Sequence, residues 1–241
     1  MKNKLLSIFL IGGIIASMML MGCEKDENED EENNPFEGSS GNFTDSRDSK
    51  TYNWVKLGDQ IWMAENLAYK PSSGNYWAFD DNVSNVSKYG YLYDWATAQN
   101  VAPAGWHMPT VEEWDELEDY LYNNGYRYEG GSITPQEIGK SMATKYDWDN
   151  SSNMGDVGST DFPEYRNKSG FSALPAGITQ VSVGNRIYFG KGIFCQFWTA
   201  TSDSNYPDKK AHTRRLKYDR QYLDSDYIEK EKGISARYVK D

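Results

Sequence analysis

The start of the chain sets the limits on what can fold. Lys2 and Lys4 precede an uncharged apolar run over residues 5–21, which closes on Leu20-Met21-Gly22-Cys23. The run is about long enough to cross a bilayer, but a short basic start and a small residue just before a cysteine fit a removed leader better than a spanning helix. The folded part is therefore sought after Cys23. No later run is apolar enough to span a membrane, so the remainder is expected outside the bilayer. Directly behind the cysteine, residues 24–32 hold seven acidic side chains and one lysine, a block that repels itself and stays solvated.

Leu20-Met21-Gly22-Cys23 resembles the cleavage signal of bacterial lipoproteins. That resemblance implies that Cys23 becomes acylated, and more than one acyl chain gives stable attachment where a single chain would be marginal. Lys25-Asp26-Glu27 resembles the lysine-plus-acidic tag that sends some lipoproteins to the outer leaflet of the outer membrane, so an outer-membrane lipoprotein displayed on the cell surface is expected. Three parts follow: a leader at 1–22, an acylated cysteine and acidic flexible tether at 23–49, and one domain at 50–241. The Gly-, Ser-, Asn- and Asp-rich stretch 35–49 is read as linker, with order beginning near Thr51.

About half of the formal charge of −11 belongs to the leader and tether. From Lys50 onward there are 21 Lys and Arg against 26 Asp and Glu, a net of −5. With no cationic block, a nucleic-acid partner is not expected, because phosphate binding needs a concentrated basic face. Cys195 is left without an intramolecular partner and is read as a buried apolar filler.

Residues 54–57 and 60–63 read as a hairpin closed at Gly58-Asp59. Residues 91–99 suit one short helix. A second helix is announced by Thr110 and Glu113, a capping-box pair, followed by an apolar stripe of Trp114, Leu117 and Leu121. Residues 126–168 are punctuated by Gly, Asn, Ser and Asp and read as long loops. Residues 186–189, 196–200, 213–218 and 235–239 read as four strands of one antiparallel sheet, with 203–208 as its most exposed connector.

Pro103-Ala104-Gly105-Trp106-His107-Met108-Pro109-Thr110 followed by Glu113-Trp114 and Leu117 resembles the signature of the Fibrobacter succinogenes major paralogous domain. Gln60-Ile61-Trp62-Met63-Ala64-Glu65-Asn66-Leu67, Tyr89-Gly90-Tyr91-Leu92-Tyr93-Asp94-Trp95, Ser169-Gly170-Phe171-Ser172-Ala173-Leu174-Pro175-Ala176-Gly177, Phe197-Trp198-Thr199-Ala200-Thr201 and Ala236-Arg237-Tyr238-Val239-Lys240-Asp241 continue it in order. The resemblance implies an α+β fold of the C-type lectin-like kind, with two helices, a small antiparallel sheet carrying both ends of the domain, and long irregular loops. It also implies a disulfide between the positions of Ala102 and Tyr238. Both cysteines are absent here, so compensating packing is expected around those two residues.

Aromatic residues make up 15% of the chain, including eight tryptophans. Trp62, Trp95, Trp106, Trp114 and Trp198 fall within the family motifs and are assigned to the core. Tyr76, Trp77, Trp148 and Tyr206 occur in loop segments and are the ligand-binding candidates. No cofactor is required by the pattern. Calcium is the one ion whose donors are present, in Asp147, Asp149, Asn150 and Asn153 and in Asp203, Asn205 and Asp208. Neither cluster reproduces the ligand motifs of calcium-dependent lectins, and loop capping accounts for them equally. His107 is read as a structural hydrogen-bonding residue. With only two histidines and no nucleophile triad, phosphate loop or dinucleotide fingerprint, an enzyme is not expected. The reading is a surface-anchored module binding extracellular glycan or protein through its loops, or else an assembly component of a surface appendage or outer-membrane complex.

Overall fold

The computed structural model describes residues 39–128 and 137–241. The leader, Cys23 and the acidic block lie outside the described residues. Order begins earlier than the linker reading placed it. Strand β1 (Ser40–Thr44) pairs antiparallel with β2 (Thr51–Leu57), from Ser40 opposite Val55 to Thr44 opposite Thr51. The strand escapes a sequence reading because only Phe43 reaches the interior, where its ring lies 4.5 Å from Trp106. Gly41 is required beneath it, since a Cβ there would come within 2.8 Å of the Trp54 ring.

The expected hairpin is present, β2 joining β3 (Gln60–Met63) across Gly58 and Asp59. After β4 (Tyr76–Trp77), a single helical turn α1 (Val86–Tyr89) leads into β5 (Leu92–Tyr93) and helix α2 (Trp95–Asn100). The helix read at 91–99 thus begins later. Asp94 caps it, its Oδ1 accepting from the Thr97 amide at 2.8 Å, and this cap ends the strand before it. Strand β6 (Trp106–His107) precedes α3 (Val111–Asn123), which carries the anticipated capping box and buries Trp114, Leu117 and Leu121. The turn α4 (Gly139–Met142) brings the helices to four rather than two, both additions being single turns without an apolar period to betray them.

The remaining strands are β7 (Ala176–Ser182), β8 (Asn185–Lys191), β9 (Phe194–Ser202), β10 (Lys210–Lys217), β11 (Asp224–Glu229), β12 (Ile234–Ser235) and β13 (Val239–Lys240). They do not form one sheet. A five-stranded sheet runs β1-β2-β3-β13-β6, a six-stranded sheet β11-β10-β9-β12-β5-β4, and β7-β8 stand as a ribbon of their own. The segment read as one strand over 235–239 divides between the two larger sheets: Ser235 pairs parallel to Phe197, and Val239 sits between Trp62 and His107. Strand β11 was missed because its residues Asp224-Ser225-Asp226-Tyr227-Ile228-Glu229 bury only Ile228 at the sheet edge. The architecture is α+β. No helix among the described residues is long and apolar enough to cross a membrane.

Period-two alternation places apolar side chains on both faces of these strands. Trp54 and Met63 join Tyr52, Tyr93, Trp106, Trp198 and Tyr238 in one cluster. Val55, Trp62 and Val239 face the other way, against Trp114, Leu117 and Leu121 of α3, with Phe171, Cys195 and Phe197. Four of the five motif tryptophans are interior, and Trp95 is half-buried, its Nε1 donating to the Thr199 carbonyl at 2.9 Å. Cys195 is fully buried, and burial pushes its thiol up to about 12.

Between β12 and β13 the guanidinium of Arg237 is wholly enclosed. Its Nε donates to Asn66 Oδ1 at 2.9 Å and its Nη2 to the Ser172 carbonyl at 2.7 Å, while Nη1 donates to the Phe171 carbonyl. It lies 4.4 Å from the Phe171 ring centre and 5.2 Å from that of Phe197. Burial pulls its pKa down to about 9. Removing the head leaves buried carbonyls unpaired as well as a void, so Arg237→Ala is expected to lower unfolding free energy by about 3–5 kcal/mol in urea titrations.

Candidate functional site

A cleft of about 750 Å³ opens between the β1–β2 edge and the loops at 144–146 and 170–174. Trp54 lies buried in its lining, and polar side chains from scattered positions meet over it: Asn42, Asn53, Glu65, Lys88 and Ser172. Glu65 is held on β2, its Oε1 accepting from Asn53 Nδ2 at 2.5 Å and from the Asn53 amide at 3.3 Å. At the rim, the Tyr146 ring is 58% exposed. Lys88 Nζ stands 5.3 Å from that ring's centre and 2.5 Å from Asp147 Oδ2. The hydrogen bond to Asp147 raises the Lys88 pKa, so the ammonium is retained.

Such a lining presents donors, acceptors, one cation and an exposed aromatic face within one concavity. It suits a polar ligand with an apolar flank.

The four aromatic ligand candidates are not brought together. Tyr76 packs edge-on against Tyr91 at 5.2 Å. Trp77 is covered by the Arg186 guanidinium at 3.7 Å, and its ring passes so close to Gly233 that a Cβ there would approach to 2.6 Å. Trp148 spends its Nε1 on Thr144 Oγ1 at 3.2 Å and packs beside the α3 cluster. Tyr206 alone is open, 55% exposed, with Lys210 Nζ 5.4 Å from its ring centre. Tyr146 immediately precedes residues 147–150, and its exposure follows from the loop geometry rather than from any local sequence signal. Tyr227, also exposed, was hidden in the unrecognised strand β11.

The calcium candidates also have other engagements. Asp147 pairs with Lys88, and Asp149 is exposed, its main-chain amide donating to the Gly192 carbonyl at 2.8 Å. Asn150, Asn153 and Asp208 are exposed loop residues. Asp203 is buried and turns onto its own loop, Oδ1 accepting from the Asn205 amide at 2.8 Å. Among the described residues no three His, Cys, Asp or Glu side chains stand close enough to share an ion.

His107 is a clamp between elements. Its Nε2 lies 2.7 Å from Glu113 Oε1 and its Nδ1 2.6 Å from Asp241 Oδ1, tying β6 to the first turn of α3 and to Asp241 after β13. Partial burial works against the charged ring, but hydrogen bonds to Asp241 and Glu113 outweigh it and raise the pKa. Both ring nitrogens donate only when the imidazole is protonated. The clamp's contribution is therefore complete below the unfolded-state value of about 6.5 and disappears as pH rises through the raised folded value. His107→Gln should lower the melting temperature near pH 5.5, and the gap from wild type should close in alkaline buffer.

A family model described as the Fibrobacter succinogenes major domain matches residues 55–240. No curated protein and no solved structure matches the chain.

Proposed function

The chain belongs to the Fibrobacter succinogenes major domain family, and from that premise we propose that it is a lipid-anchored module on the outer cell surface that binds extracellular carbohydrate in the Tyr146 cleft. The observation that carries the reading is the pairing of an exposed tyrosine face with amide, carboxylate, ammonium and hydroxyl groups in one concavity. A pyranose has the matching chemistry. Its C–H face packs on an aromatic ring while its hydroxyls exchange hydrogen bonds with short polar side chains, and a cleft of this volume accommodates a few sugar units.

The C-type lectin-like scaffold belongs to the same proposal. Its support is the pairing of β13 with the opening hairpin and the two longer helices among irregular loops. Anchorage rests on Leu20-Met21-Gly22-Cys23 and the solvated acidic block after it, which would hold the domain away from the bilayer.

A glycan array probed with the purified chain should return a restricted set of oligosaccharides. Tyr146→Ala, without moving the melting temperature, and Glu65→Ala should each weaken binding to the retained sugar at least about tenfold, the equivalent of about 1.4 kcal/mol. Binding left unchanged by both variants, or no retained sugar, removes the carbohydrate reading. In cells supplied with labelled palmitate, Cys23→Ala should abolish incorporation into the protein; persistent label would remove the anchor.

A further inference from the structure

The β7–β8 ribbon carries a surface that the cleft does not use. One face is seated on the body, where Arg186 covers Trp77 and Tyr188 packs 5.5 Å from Phe79 and bonds to Asp81. The other face presents Ile187 and Phe189, 37% and 39% exposed, and Val183 at the turn is 99% exposed. Val183 and Gly184 have φ values of 49° and 79°. These suit a two-residue turn of the type that favours Asn or Gly, and a β-branched residue is strained there. A strained and fully solvated valine is a poor choice for a turn that contacts nothing.

The outer edge of β8 is also bare. Among the described residues β8 pairs only with β7. Because the turn closes the Ser182–Asn185 pair, the ladder alternation directs the main-chain groups of Ile187 toward β7 and those of Arg186 and Tyr188 outward. Natural edges are commonly blunted by proline or a central charge. Asn185-Arg186-Ile187-Tyr188-Phe189-Gly190-Lys191 has no proline, no acid, and basic residues only toward its ends.

We propose that two copies of this chain associate by pairing β8 with β8, antiparallel about a twofold axis through Tyr188, so that the two ribbons become one four-stranded sheet. The segment is self-complementary in that register. Ile187 of each copy falls opposite Phe189 of the other, Arg186 opposite Gly190, and Asn185 opposite Lys191, so no like charges face each other. Val183 and Ile193, in the turns that flank β8, are further exposed apolar residues. Centring the axis on Arg186 would instead oppose two guanidinium groups. The contact is isologous and closes at two, and it does not depend on the carbohydrate reading.

The register gives a specific test in the full-length chain purified in detergent. Opposed residues at a pair without main-chain bonds have Cα atoms about 4.5 Å apart, within disulfide reach. Mixing the Ile187→Cys and Phe189→Cys proteins under mild oxidation should give a covalent dimer on non-reducing gels, whereas each variant alone should remain near the wild-type background. The deeply buried Cys195 does not compete. In sedimentation, Ile187→Lys/Phe189→Lys should weaken association at least tenfold while keeping a cooperative melt, and Ile187→Lys/Phe189→Glu should restore it by placing lysine opposite glutamate. A monomeric wild-type chain, cross-linking no greater in the mixture than in the separate variants, or a dimer indifferent to the charge pairs would each overturn the proposal.

Discussion

A cation with no carboxylate bonded to it holds the interior of this domain together. Arg237 brings a full guanidinium into the space between the sheets and satisfies it with the carbonyls of Phe171 and Ser172 and the amide oxygen of Asn66. A buried charge is costly unless its hydrogen-bonding groups are met, and a planar fork can meet several fixed acceptors at once. The aromatic faces of Phe171 and Phe197 supply further attraction. Around this point residues 234–240 cross from one sheet to the other, giving Ile234 and Ser235 to the first and Val239 and Lys240 to the second. The opening hairpin, the loop at 171–172 and β9 are thus held by one side chain far from them in sequence. Neither large sheet is complete until residues 234–240 are in place.

Neighbouring interactions occupy the positions where the family resemblance implies a disulfide. Tyr238 is fully buried, and its hydroxyl donates to the Ala98 carbonyl at 2.7 Å. Arg47 donates to the carbonyls of Val101 and Ala102 at 3.0 and 3.1 Å, stacks 3.9 Å from the Tyr69 ring centre, and pairs with Asp45. A covalent bridge restricts the unfolded chain, whereas these contacts act in the folded state alone. Their existence explains why residues 39–49 are part of the domain: the turn after β1 carries the arginine that fastens Ala102.

What the sequence made legible was local. The capping box of α3 and the Gly58-Asp59 hairpin involve residues a few positions apart, whose geometry is set by the backbone between them. The sites were less legible because burial is decided at a distance. Trp77 reads as a loop tryptophan until Arg186 arrives from the ribbon to cover it. Conversely, Asn42, Glu65, Lys88 and Tyr146 are unremarkable one at a time and become a cleft only when β1, the hairpin exit, α1 and the 144–147 loop converge. The acidic and amide groups at 147–150 did mark the right neighbourhood. One partner of that neighbourhood was hidden by distance in sequence: Lys88, some sixty residues earlier, pairs with Asp147.

That pairing bears on how the cleft could recognise a ligand. Tyr146 is exposed, yet its backbone is not loose: its carbonyl accepts from Thr144 Oγ1 at 2.9 Å, Thr144 Oγ1 accepts from Trp148 Nε1, and the Thr144 amide donates to the Ala173 carbonyl at 2.9 Å. Lys88 and Asp147 pin the rim from the other side. Ordering a mobile loop and its side chains consumes much of the free energy that a small polar interface can provide. An aromatic platform fixed beforehand by its neighbours avoids most of that loss, so even a few hydrogen bonds and one stacked ring can give selective binding. The same contacts that engage Trp148 and Asp147 therefore fix the backbone of Tyr146 at the rim.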